Sequence, residues 1–132
     1  MTPWKPHWHD PIAMFKEALR DVVEGTEGGI AGLLMGFDGI AVDSYTKSDA
    51  AADIQTIGME LSVVLKDIRR AVEQLQAGGA REIAIQAEKV TTLVRLLNDD
   101  YFIALTLTPD GNYGKGRFLL RLAAPKLLSN LE

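Results

Sequence analysis

Leu34-Met35-Gly36-Phe37-Asp38-Gly39-Ile40-Ala41-Val42 is the stretch that decides the fold. An Asp-Gly pair between two apolar runs signals a β-hairpin, because a type I′ turn needs positive φ at both central positions. The spacing predicts one strand over 30–37 and its return over 40–45. Upstream, Asp10 followed by Pro11 reads as an N-cap with proline at the first helical position. Ile12, Phe15, Leu19, Val22 and Val23 then recur at helical spacing, and Gly25, Gly28 and Gly29 end the helix. Residues 1–10 carry Pro3 and Pro6 and read as an extended tail, which leaves 11–132 as one domain.

Downstream, Ser48 and Asp49 offer the N-cap of a long helix that runs to about residue 76, where Gly78-Gly79 closes it. Ile54, Ile57, Leu61, Val64, Leu65, Ile68, Val72 and Leu75 form one apolar stripe along it, expected to face the core. Three strands follow, at 82–87, 90–97 and 101–107, with turns at Glu88-Lys89 and Asn98-Asp99-Asp100. The last strand is apolar on both faces, as a central strand covered on both sides would be. A final helix is predicted over 115–131, with Phe118, Leu119, Leu122, Leu127, Leu128 and Leu131 as its apolar residues. Pro125 should kink or restart it. The order is α-β-β-α-β-β-β-α, an α/β (α+β) fold with a five-stranded, mostly antiparallel sheet and helices on both faces.

Composition narrows the chemistry. The chain has 132 residues, a formal net charge of -4 and no cysteine. Thiolate catalysis, disulfides and cysteine-ligated zinc are excluded, and the acidic balance argues against nucleic acid. No apolar run reaches the roughly 20 residues needed to cross a bilayer, and no secretory signal is visible, so no membrane insertion and a cytoplasmic location are expected.

The segment 34–42 resembles the first hairpin of roadblock/LC7 domains. Gly114-Lys115-Gly116-Arg117 with Phe118-Leu119-Leu120-Arg121 resembles the approach to that family's last helix. The resemblance covers about residues 11–131. Within the family, 110–117 is most similar to bacterial polarity proteins of the Mgl type, which regulate a small Ras-like GTPase. The likeness is greater to the adaptor-like member than to the member that activates GTP hydrolysis. The resemblance implies a profilin/longin-like fold, a homodimer whose sheets join edge to edge, and second helices that lie together and offer a partner-binding surface. It implies an adaptor rather than an enzyme, with another roadblock/LC7 protein, a polarity scaffold or the GTPase itself as partner.

Candidate residues follow. Thr56, Met59, Val63, Lys66 and Arg70 lie opposite the predicted core stripe, which marks them for partner binding. Ile83, Ala84, Ile85, Gln86 and Ala87 are expected to form an edge strand that pairs with a second copy. The competing reading makes Glu82 and Glu88 charged edge protection. In an alternative function, a direct activator of the GTPase, the protein need not donate an arginine and could reposition the GTPase's own groups; if it supplies an arginine in trans, Arg69 or Arg70 is the candidate. A small-ligand sensor is the third reading.

His7, His9 and Asp10 make an incomplete metal site, so no metal and no cofactor are expected. Trp4 and Trp8 could anchor the tail on a partner. Gly111, Gly114, Lys115 and Gly116 lack the Gly-Lys-Ser/Thr of a phosphate loop and read as a sharp turn into a helix. No serine stands in a nucleophile elbow.

Overall fold

A computed structural model describes residues 11–47 and 53–131. The elements are α1 (Pro11–Gly25), β1 (Gly29–Gly36), β2 (Ala41–Thr46), α2 (Ile54–Gln74), β3 (Glu82–Gln86), β4 (Thr91–Leu96), β5 (Tyr101–Leu107) and α3 (Tyr113–Leu131). The order is the one expected. The strands form one antiparallel sheet in the order β2-β1-β5-β4-β3. The apolar β5 takes the middle place, with both faces covered.

Alternation along the strands splits the core in two. On one side, Leu34, Leu93, Ile103 and Leu105 pack with Leu19 and Val23 of α1 and Leu120 and Leu127 of α3. On the other, Ala31, Leu33, Met35, Val94 and Phe102 pack with Ile54, Leu61 and Leu65 of α2. Glycines set two of the distances between layers. A Cβ on Gly58 would strike Leu33 and Met35, so α2 lies directly on β1. A Cβ on Gly116 would come within 3.0 Å of Leu105 and 3.2 Å of Leu93, so the first turn of α3 lies directly on β5 and β4. Gly116 therefore serves close packing rather than a sharp turn.

Several local expectations are corrected. The hairpin is not a type I′ turn: Gly39 is at φ 87, and Asp38 is not among the positive-φ residues. Gly39 N–H bonds Gly36 O and Gly36 N–H bonds Ile40 O, which is a three-residue loop closed by a left-handed glycine. Asp38 Oδ1 accepts from Ile40 N at 3.0 Å and holds the loop. The cap of α2 is Asp53 rather than Ser48 or Asp49; those two lie outside the described residues. The α2 stripe is buried only in part: Ile54, Leu61 and Leu65 are inside, but Val64 is 46% and Leu75 77% exposed. Arg69 of α2 already sits at the strand ends, beside Phe37 and Asp99. Cover thins along the last turns of α2, where Ile68 and Val72 are only partly buried and Leu75 is bare.

In α3 the inward face is Gly116, Leu120, Ala123, Ala124 and Leu127. Phe118 and Leu122, expected among its packing residues, are exposed at 48% and 53%. The helix also runs through Pro125 without a break. The donor that proline lacks would have met the carbonyl of Arg121, and both residues are on the exposed side, where water can serve.

The Asp53 cap makes a prediction. Its carboxylate accepts from Gln55 N at 3.1 Å, Thr56 N at 3.3 Å and the Thr56 hydroxyl at 2.6 Å. The Thr56 hydroxyl, then the Thr56 N–H, hold this carboxyl below its usual pKa. A depressed folded-state pKa means the contribution is present at neutral pH and is lost as pH falls through the folded value. Asp53→Ala should fray the first turn of α2 at pH 7, and the native chain should do so only below the ordinary carboxylate range. Amide exchange at Gln55 and Thr56 against pH checks this. Equal protection in the two proteins at pH 7 would refute it.

Candidate interaction surfaces

The predicted partner-binding residues fall on one continuous face. Thr56, Met59, Val63, Lys66 and Arg70 are all exposed along the side of α2 turned from the sheet. Met59 is 57% and Val63 61% exposed, and their four-residue spacing makes them neighbours one turn apart. Around this apolar pair the polar groups are local. The Thr56 hydroxyl serves the Asp53 cap, and Arg70 Nη2 meets Asp67 Oδ1 at 2.7 Å. That pair is exposed on both sides and holds the arginine only weakly.

Arg69 is a different case. Its guanidinium lies 4.1 Å above the Phe37 ring, and Nη1 donates to Asp99 O at 2.8 Å. It clamps α2 to the hairpin loop and to the β4–β5 turn. Of the two arginines offered as a group supplied in trans, only Arg70 is free to reach outward. Sequence could not separate adjacent arginines; their different bearings around the helix do.

The second surface is the free edge of β3. Leu96 N bonds Arg81 O and Ala87 N bonds Val90 O, at either end of the β3–β4 ladder. These bonds put the odd-numbered residues of β3 into the bonded pairs. The backbone N–H and C=O of Glu82, Ala84 and Gln86 therefore point away from the sheet, with no partner among the described residues. Ile83 packs into the α2-side core, while Ile85 on the same face is 39% exposed. Ala84, Gln86 and Ala87 are exposed.

Glu82 does not act as edge protection. Its Oε2 accepts from Arg117 Nε at 2.7 Å and Arg117 Nη2 at 2.5 Å, and Oε1 lies 3.7 Å from Arg95 Nη1. The hydrogen bond and charge of Glu82 push the Arg117 pKa up. The carboxylate thus ties α3 to the edge strand, with Oε1 left without a hydrogen bond.

A cleft of about 790 Å³ opens between the end of α2, the 77–81 loop and the β4–β5 turn. Two of its charged groups, Arg69 and Glu82, are already engaged as above. Among the described residues no group of three or more metal-ligating side chains stands together, and no helix is long and apolar enough to cross a membrane. Both histidines and both tryptophans lie outside the described residues, so the tail readings fall there too.

No protein-family model and no curated protein matches the chain. Solved structures do. MglC from Myxococcus xanthus is 42% identical, over 88% of this chain and 98% of that one, with a TM-score of 0.65. The gliding protein MglB from Thermus thermophilus is 16% identical, over 92% and 90%, with a TM-score of 0.83. A roadblock/LC7 domain from Streptomyces avermitilis is 10% identical, over 88% and 96%, with a TM-score of 0.78. The latter two speak to the fold alone. Sequence likeness and backbone likeness rank MglC and MglB in opposite order.

Proposed function

The chain belongs to the roadblock/LC7 family, together with MglC, and on that premise we propose that it is a non-enzymatic homodimeric adaptor in a bacterial polarity or motility module built on a small Ras-like GTPase. Its partner is another roadblock/LC7 protein or a polarity scaffold. The observation that carries this reading is the outer face of α2, where Met59 and Val63 stand exposed between Thr56, Lys66 and Arg70. An adaptable methionine beside a branched aliphatic, rimmed by charge, is the make-up of an interface centre. The unpaired edge of β3 supports the homodimer, because a two-fold axis there would pair like strands antiparallel.

A titration against the host's small Ras-like GTPase, in the GDP and GTP-analogue states with hydrolysis followed in parallel, tests the adaptor reading. Binding to the GTP state alone with faster hydrolysis would make the protein an activator, with Arg70 as the group to substitute. No binding in either state, with binding to a second roadblock protein, is the adaptor's signature. Met59→Glu with Val63→Glu should then weaken that second interaction by about 30-fold or more, as loss of a hot spot of roughly 2 kcal/mol implies. Sedimentation of the same variant separates a loss of partner binding from a loss of the homodimer, whose second helices the family resemblance sets side by side. An unchanged affinity would remove the face from consideration.

A further inference from the structure

The two edges of the sheet, β2 and β3, are built differently. Along β3 the pairing with β4 runs without a shift from Glu82 to Gln86. Along β2 the pairing with β1 is interrupted. Leu34 faces Asp43 but Met35 faces Ala41, so Val42 is one residue too many. A bulge of that kind bends an edge strand and makes it a poorer template for pairing.

The outward backbone groups of β2 are also occupied. Lys47 N–H bonds Ile30 O, and the register then sets Tyr45 opposite Gly32 and Asp43 opposite Leu34. Alternate residues make the bonds of an antiparallel ladder, so Ser44, between these two, turns its N–H and C=O away from β1. Both groups have partners. The Ser44 N–H donates to Asp43 Oδ1 at 2.8 Å, and Ser44 O accepts from Lys16 Nζ at 2.6 Å. Lys16 reaches over from α1 and also meets Asp43 Oδ1 at 3.0 Å. An inward-pointing carboxylate and a lysine are two of the devices that blunt sheet edges. The Tyr45 hydroxyl donates to Glu24 Oε2 at 2.5 Å and ties the strand to α1 a second time. On β3 the outward groups of Glu82, Ala84 and Gln86 meet no such side chain among the described residues.

Ser44 is the residue at which a cap has the most effect. A second β2 lying antiparallel about a two-fold axis on Ser44 would pair Ser44 with Ser44 through those same two groups. We propose that Lys16 and Asp43 keep β2 from pairing with a second copy of this chain, so that edge-to-edge assembly is confined to β3. The consequence for assembly size rests on the homodimer reading. A pair joined at β3 carries β2 at both outer ends, and two open edges there would let pairs add end to end without closing.

Lys16→Ala with Asp43→Ala removes the cap and one charge of each sign, which leaves the formal net charge at -4. Sedimentation velocity over a series of concentrations compares this variant with the native chain. The variant should go one association step further at equal concentration: from dimer to tetramer and longer, or from monomer to dimer when Ala84→Pro is also in place. Ser44→Pro added to the variant should undo the step, because proline withdraws the outward N–H and leaves the bonds to β1 intact. Far-ultraviolet circular dichroism checks the fold. If the double variant does not fold, Lys16→Met alters a half-exposed side chain, frees Ser44 O alone and should show the same step at higher concentration. Equal sizes of variant and native chain at every concentration would overturn the proposal. So would a gain in size that survives Ser44→Pro, which would place the new contact elsewhere. If the native chain is a monomer, the β3 homodimer fails, and the cap still requires the variant to dimerise.

Discussion

Ala84→Pro should convert the proposed homodimer to a monomer while leaving the protomer folded. Ala84 is the middle residue of β3, and its N–H points out of the sheet, so proline there removes no bond to β4. Proline is tolerated on an edge strand for that reason, and the extended conformation it asks of Ile83 is already present. Across a two-fold axis the loss is counted twice. At about 1 kcal/mol for each hydrogen bond, the pair of losses is roughly 2 kcal/mol, or about 30-fold in dissociation constant. The ring's bulk at the seam adds to this. Sedimentation equilibrium checks the shift, and circular dichroism checks the fold. A dimer of unchanged strength would move the two-fold axis away from β3.

Phe102→Ala should cost about 3–5 kcal/mol of stability, the range for truncating a fully buried aromatic ring. For a domain of this size that is a fall in Tm of about 10–20 °C. Phe102 lies in the central strand with no exposure, its ring centre 5.2 Å from that of Phe37 at an interplanar angle of 52°. Phe37 in turn supports the Arg69 guanidinium. The substitution therefore empties the floor beneath the clamp that joins α2, the hairpin loop and the β4–β5 turn. Thermal unfolding measures the loss, and faster amide exchange in the Asn98–Asp100 turn should accompany it. A loss under about 1 kcal/mol would show that the neighbours close the gap, against the close packing on which the estimate rests.

The element order is legible because each boundary carries its own signal: Asp-Gly at the hairpin, Gly-Gly after α2, and Pro-Asp-Gly-Asn after β5. Strand order is less so: β2 and β3 both stand at edges of the sheet, and no local signal places β1 beside β5. The start of α2 is ambiguous in sequence because Ser48, Asp49 and Asp53 can all cap. What favours Asp53 is Thr56, three residues beyond it, whose hydroxyl and N–H both return to the carboxylate. The inward face of α3 is hidden because apolar residues surround the helix. Its bearing is fixed by Gly116 against Leu105 and Leu93, a tertiary contact. Leu75 reads as an inward residue because periodicity shows which side of a helix is apolar, but not where the sheet beneath it ends; Val64, one residue before the buried Leu65, is turned about 100° off the buried line and stands exposed. The outer face of α2 is readable, as Met59 and Val63 interrupt a polar side. The bond from Arg69 to Asp99 joins residues far apart in the chain and leaves no mark in the sequence.

The place of β1 between β2 and β5 has a consequence for the newborn chain. Its pairing with β2 is local and can form as soon as both strands leave the ribosome. Its pairing with β5 joins residues as distant as Gly29 and Leu107, so the chain must be nearly complete before the centre of the sheet can close. Such closures are slow, because loop entropy is spent before the distant contacts return it. Until then the first half of the protein is a helix on a two-stranded ribbon. The inner edge of Gly29–Gly36 stays open, and Leu33 and Met35 are uncovered until α2 arrives. An open apolar edge of that kind binds whatever strand reaches it first. The order of synthesis therefore exposes β1 to strands of other nascent chains for as long as β5 is still to come.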